Sequence, residues 1–154
     1  MPDELEKLKE EMAALAERVA SEGFGVTLDY SNESIKEVER LLGIFHKEYK
    51  KTKSDEGMNG LAFEFASYIV KVIEKNVGPV RWERDHPELG DNSFPLYRDG
   101  EEGAIFPFSW CLKRIYDGPA DDVWAKYSFL VLKQEAPTSE KKGFLSKIFP
   151  PKSK

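Results

Sequence analysis

Few residues in this chain of 154 could do chemistry at neutral pH: one cysteine, Cys111, and two histidines, His46 and His86. A nucleophilic thiol needs a base within reach and an electropositive, accessible setting. Cys111 stands between Trp110 and Leu112 on the apolar side of a helical pattern, which predicts a buried, inert thiol. No local signature ties it to either histidine. His86 falls in Trp82-Glu-Arg-Asp-His-Pro-Glu-Leu-Gly-Asp91, a loop by composition with acidic side chains at Glu83, Asp85, Glu88 and Asp91. A metal site there would want two or three further ligands at fixed spacing. Neither calcium's helix–loop–helix pattern nor a His-x-x-x-His pair is present. A solvated acidic loop is the expectation, with no metal and no cofactor. His46, beside Lys47, reads as exposed.

Acid–base work by carboxylates needs burial or a like-charge neighbour to move a pKa. Of the many acidic residues only Glu64 stands out, alone in the first half of an otherwise apolar stretch. Helical spacing places it on a polar strip with Ser67 and Lys71, where solvent is the expected neighbour. Gly100, Gly103 and Gly118 lack the Lys-Ser/Thr step and strand–helix setting of a phosphate loop. Aromatics concentrate in cores and at interface hot spots, which makes Trp82, Tyr97, Trp110 and Trp124 candidates for either. The residues nominated for binding are Trp82, Asp85, His86, Tyr97, Trp110 and Glu64; no catalytic residue is nominated.

The element expected to position them is a helix over Met58 to Val77. Leu61, Phe65, Tyr68, Val72 and Ala62, Ala66, Ile69, Ile73 form adjacent stripes at helical spacing, widened by Phe63 and Val70. A helix apolar round most of its circumference is wrapped by its neighbours. Lys75 in the last turn, Gly78 and Pro79 mark its end. Before it, residues 3–22 read as an amphipathic helix with a seam of Leu5, Leu8, Met12, Leu15 and Val19, which could pack on the domain or form a homodimer with a second copy. Ser31 or Ser34 can cap the next helix, and Ser34 with Glu37 fits a capping box. Its buried stripe is Ile35, Val38, Leu42, Phe45 and Tyr49.

After Pro79 the period changes to alternation. Val80, Trp82 and Arg84 read as a strand, Phe94 to Arg98 as a second with Pro95 near an edge or bulge, and Ala104 to Phe106 as a short third. Pro107 suits the first position of a helix whose inner face is Phe108, Cys111, Leu112 and Ile115, with Lys113 and Arg114 outward. Asp121 or Asp122 can start a last helix, although Tyr127 to Leu132 also fits a strand.

The net charge of −5 is uneven. Residues 136–154 carry a balance of +4, leaving −9 on the rest. An acidic body argues against nucleic acid as the partner. In the tail, Lys141-Lys-Gly-Phe-Leu-Ser-Lys-Ile-Phe149 could dock on an anionic surface. No stretch approaches the length of apolar residues a transmembrane segment needs. With a single cysteine and no secretory leader pattern, the cytoplasm is the expected compartment.

Leu28-Asp-Tyr-Ser-Asn-Glu-Ser-Ile35 resembles the Leu-Asp-Tyr-Ser-x-x-Ser-Leu/Ile opening of a group of small bacterial proteins of unassigned function. In that group a Gly-x-Tyr-x-Gly-Glu helix leads to a Gly-Gly-x-Trp strand, and Tyr68 and Trp82 fall at the matching places. Pro107-Phe108, Lys113-Arg114 and Asp117-Gly118 resemble a further shared segment. The likeness covers about residues 26–130. It departs at Ala66 for the first glycine, at Val70-Lys71 for the Gly-Glu step, and at Pro79-Val80 for the paired glycines. The resemblance implies a bacterial domain of shared fold and brings no activity with it.

Together these features predict an α+β fold, a helical bundle around a central buried helix packed on a small antiparallel sheet. The N-terminal helix is expected over 1–22, the core domain over 23–135 and a flexible basic tail over 136–154. The expected function is a non-enzymatic protein-binding module of accessory or immunity type, with an unidentified protein partner. The alternative is a hydrolase-like enzyme using the 83–91 loop with His86 and Glu64.

Overall fold

A computed structural model of the chain describes residues 4–134. The elements run α1 (Glu4–Arg18), α2 (Ser34–Thr52), α3 (Met58–Asn76), β1 (Val80–Trp82), β2 (Leu96–Arg98), α4 (Pro107–Asp117) and α5 (Val123–Leu130). A π-helical turn, Val19–Gly23, extends α1, and a 3-10 turn, Pro119–Asp121, leads into α5. This is the expected α+β fold: helices bundled around α3, with a small antiparallel sheet against them. The basic tail, residues 136–154, lies outside the described residues. No described helix is long and apolar enough to cross a membrane.

The central helix forms because its apolar arc is too wide to be left in water. Ten of its side chains are buried, among them Phe65, Ala66, Tyr68, Ile69, Val70, Val72 and Ile73. It meets α1, α2, α4 and β1. Its polar strip is only partly left to solvent, against expectation. Ser67 is fully buried and donates to the Phe63 carbonyl at 2.8 Å. Lys71 pairs with Glu10 at 2.9 Å, and Glu74 with Lys9 at 2.6 Å. The strip is the seat of α1, which lies along α3 in the opposite direction.

The face α1 uses also departs from expectation. Leu5 is buried, but its companions there are Lys9, Ala13, Ala16 and Ala20. Alanine lets two backbones approach closely, and the long stem of Lys9 can cover apolar surface while its ammonium reaches carboxylates. Lys9 is 1% exposed and held between Glu6 at 2.5 Å and Glu74 at 2.6 Å. Burial works against its charge, but the two carboxylates outweigh it and its pKa is raised. Leu8, Met12, Leu15 and Val19, the rest of the expected seam, are left half-exposed.

Between α1 and α2 the chain is locked by short-range hydrogen bonds. The Asp29 carboxylate accepts from the Ser31 amide and hydroxyl at 3.0 and 2.6 Å, and Ser31 Oγ accepts from the Ser34 amide. Ser31, not a Ser34–Glu37 box, therefore caps α2. Ser34 is turned inward, its hydroxyl 2.7 Å from that of Tyr68. Tyr68 also accepts from the Tyr30 amide at 2.8 Å. Tyr30 has φ of 62°, a left-handed conformation held by that bond and by Asn76, which donates to its carbonyl at 2.7 Å.

β1 and β2 pair antiparallel with Trp82 opposite Leu96 and Arg81 opposite Tyr97. The expected third strand shortens to one bridge, Leu96 to Ile105, because Pro107 starts α4 two residues later. The hairpin is fastened to α3 by rings. Phe63 stacks on Trp82 at 5.4 Å between centroids and meets the edges of Phe94 and Phe108 at 5.1 and 5.4 Å. Asp122 caps α5 by accepting from the Ala125 amide at 2.8 Å, so Val123–Leu130 is helix rather than strand.

Arg114 faces inward, not outward. Its Nε lies 2.9 and 2.8 Å from the two oxygens of Glu39, which also accepts from the Val123 amide at 2.9 Å. One clamp thus ties α2, α4 and the start of α5. Gly43 makes room for it, since a Cβ there would stand 2.7 Å from Arg114 Nη2. His46 is half-buried, its Nδ1 donating to the Ile115 carbonyl at 2.7 Å.

Candidate functional site

The hairpin loop between β1 and β2 presents two faces, and each borders a concavity. On the outer face, an open groove of about 630 Å3 is lined by Arg81, Glu83, Asp85, His86, Pro87, Gly90, Asp91 and Tyr97. Three of the six residues nominated from sequence, Asp85, His86 and Tyr97, meet there. On the inner face, a cavity of about 570 Å3 runs under the loop to α4 and α5. Leu89, Asn92 and Ser93 of the same loop form part of its wall, and Trp110, a fourth nominee, lines it.

The loop is braced by its own side chains. The backbones of His86 and Gly90 exchange hydrogen bonds at 3.0 and 2.9 Å. His86 Nδ1 accepts from the amides of Glu88 and Leu89 at 3.0 and 3.1 Å, so the ring proton is on Nε2. Asp85 accepts from the Asn92 amide at 2.9 Å. Asn92 and Phe94 both hold positive φ, 59° and 54°. The Phe94 carbonyl is fixed by Trp82 Nε1 at 3.0 Å and its amide by the Arg84 carbonyl at 2.9 Å. Trp82 is therefore a buried post beneath the loop, 6% exposed, and not a contact surface.

In the groove the Arg81 guanidinium lies over the Tyr97 ring, 4.4 Å from its centroid. Cross-strand pairing sets that stack, since the two residues are directly opposite. Arg81 also pairs with Glu83. Asp91 adds a further carboxylate, so acid outnumbers base along the groove. No group of three or more His, Cys, Asp or Glu side chains placed to hold a metal occurs among the described residues.

Glu64 lies on α3 and is not part of either lining. It is half-buried, and burial raises its pKa. Its carboxylate folds back over the preceding turn, 4.0 Å from where a Cβ on Gly60 would stand. His86 and Glu64 are thus not gathered into one pocket. Cys111 is fully buried, and burial pushes its thiol far above the usual range.

The inner cavity contains what the sequence reading missed. Its walls are Ile105, Phe106, Phe108, Trp110, Leu112 and Leu130, and its charged members are Lys113 and Lys126. Lys126 is 6% exposed and 3.2 Å from Asp121. The available signal was Lys126 inside the apolar run Val123-Trp-Ala-Lys-Tyr127, five residues after an aspartate.

The residues that carry the Leu-Asp-Tyr-Ser resemblance are gathered elsewhere, around Tyr68, in the hydrogen-bonded lock described above. Their arrangement is structural: hydroxyls and amides satisfy one another at the α1–α2–α3 junction. Tyr127 adds a bond from its hydroxyl to Asn32.

No protein-family model, curated protein or solved structure matches this chain.

Proposed function

We propose that the chain is a non-enzymatic binding module that docks a protein partner on the outer groove of its hairpin. The observation that carries this reading is the Arg81–Tyr97 stack across β1 and β2, beside a self-braced loop, in a groove rimmed by Glu83, Asp85 and Asp91. Tyrosine and arginine are the residue types that anchor protein interfaces, and a rigid base lowers the entropy lost on docking. The acidic rim favours a basic partner segment. Both histidines already serve backbone groups through Nδ1, which supports binding over acid–base chemistry. The unpaired cysteine, buried and inert, supports a reducing compartment, the cytoplasm, as its place.

The test is affinity capture with the intact protein beside Tyr97→Ala and Asp91→Lys variants. Tyr97 and Asp91 bear little of the core, so circular dichroism should show both variants folded. A partner held in stoichiometric amount by the parent, and lost from both variants, is the expected result. A partner retained equally by all three would remove the groove from the reading. Trp82→Ala is unsuitable for this purpose, because it would collapse the support of the loop.

A further inference from the structure

We propose that the inner cavity is a binding site for an apolar carboxylate, a small molecule with a carboxylate head and an acyl or aryl body. This goes beyond the protein-docking reading and does not depend on it, because the two concavities share no lining residue.

Size and chemistry both point that way. The cavity, about 570 Å3, falls within the range that accommodates small ligands. Phe108, Leu112 and Leu130 are only partly covered by the protein itself, so their apolar surface is available to a ligand tail. Trp110 and Ile105 form a rigid wall behind them.

The charge is the specific feature. The chain as a whole is acidic, at −5, yet no acidic side chain lines this cavity, and two lysines do. Lys126 is nine-tenths buried and makes one hydrogen bond among the described residues, to Asp121. An ammonium carries three donors, so two remain for a ligand. Lys113, exposed at the rim, forms no ion pair among the described residues. Burial first, and the nearby Lys113 charge in addition, work against the charged form of Lys126, while Asp121 supports it. A carboxylate between the two lysines would complete a hydrogen-bond set that one aspartate leaves short, in a setting where charge-assisted bonds are strong. An amine or a neutral chain end would gain nothing from them.

The experiment titrates the full chain with decanoate, decan-1-ol and decylammonium, each below its micelle-forming concentration, by calorimetry and by 1H–15N spectra. Decanoate should bind one to one and at least about tenfold tighter than decan-1-ol, the scale of one charge-assisted hydrogen bond. Decylammonium should not bind. The amides of Leu112, Lys113 and Lys126 should shift. Lys126→Met combined with Asp121→Asn, which leaves no unpaired carboxylate behind, should reduce decanoate affinity to that of the alcohol. Lys113→Met, at an exposed position, should lower decanoate affinity without touching the fold or alcohol binding, and keeps the test decisive if the double variant does not fold. Tyr97→Ala should leave decanoate binding unchanged. The proposal is overturned if decan-1-ol binds as well as decanoate, if the shifts map away from α4 and α5, if nothing binds, or if a peptide C-terminal carboxylate binds more tightly than decanoate.

Discussion

Replacing Arg114 with alanine should be among the most destabilising single changes in this protein. The guanidinium and the Glu39 carboxylate it holds are 8% and 15% exposed, so neither is screened by bulk water. Removing the arginine leaves Glu39 buried with one remaining donor, the Val123 amide at 2.9 Å, and with the like charge of Asp122 nearby. Breaking a buried pair from one side costs about 3–5 kcal/mol. Against a total stability of about 5–15 kcal/mol for a domain, that is a large share, and in a chain of this length it lowers Tm by roughly 6–20 °C. Urea unfolding followed by circular dichroism at pH 7 reads the loss as a lower midpoint with unchanged slope.

The pH dependence of that loss tests the cause. Burial already holds the Glu39 pKa above its ordinary value in the parent, despite Arg114. A carboxylate raised in the folded state binds more protons folded than unfolded, so its contribution to stability falls as pH rises from the ordinary value of 4.5 through the folded one. Without Arg114 the folded value moves higher still. The deficit of Arg114→Ala should therefore be smaller at pH 5 than at pH 8. A deficit below about 1 kcal/mol, which is the scale of an exposed pair, or one that does not change between these pH values, would refute the reasoning.

Gly43→Ala should act on the same clamp: its new Cβ would meet Arg114 Nη2 at 2.7 Å, costing about 1–3 kcal/mol by overpacking, and the cost should shrink when combined with Arg114→Ala in a double-mutant cycle. Lys9→Met should cost no more than about 1 kcal/mol at pH 7, because Glu6 and Glu74, at 55% and 33% exposed, can be rehydrated. The raised pKa of Lys9 means its contribution is complete below pH 10.5 and lost as pH climbs through the folded value, so parent and variant should converge in alkaline unfolding curves. Tyr68→Phe removes the acceptor of the Tyr30 amide and a partner of Ser34, and should cost about 1–3 kcal/mol in thermal melts.

What the sequence made legible follows from period and punctuation. The apolar arc of α3, the alternation of Val80 and Trp82, and Pro107 at the head of α4 depend on local geometry alone, and the structure agrees with each. The inner face of α1 was not legible, because Ala13, Ala16 and Ala20 look like filler and Lys9 like surface until α3 is laid beside them. Arg114 misled for a related reason. A charged residue next to Lys113 reads as solvent-facing, and only its pairing with Glu39, 75 positions earlier, makes burial affordable. Asp85 and His86 could be nominated because the loop's composition is local, and Tyr97 because aromatic side chains mark interfaces as well as cores. The lysine-bearing cavity could not, since it is assembled from the hairpin loop, α4 and α5 at once.

The wall shared by the groove and the cavity has one more consequence. Segment 85–93 gives Asp85, His86, Gly90 and Asp91 to one side and Leu89, Asn92 and Ser93 to the other, and its backbone is pinned at both ends. The Leu89 amide donates to His86 Nδ1, and His86 exchanges backbone hydrogen bonds with Gly90, so a shift of the backbone at Leu89 would reach that bridge. Linkage makes any such effect reciprocal: whatever factor an occupant of the cavity imposes on the affinity of an outer partner, the partner imposes on the occupant. Were both proposed sites filled, the loop between them would carry that coupling through the two His86–Gly90 hydrogen bonds.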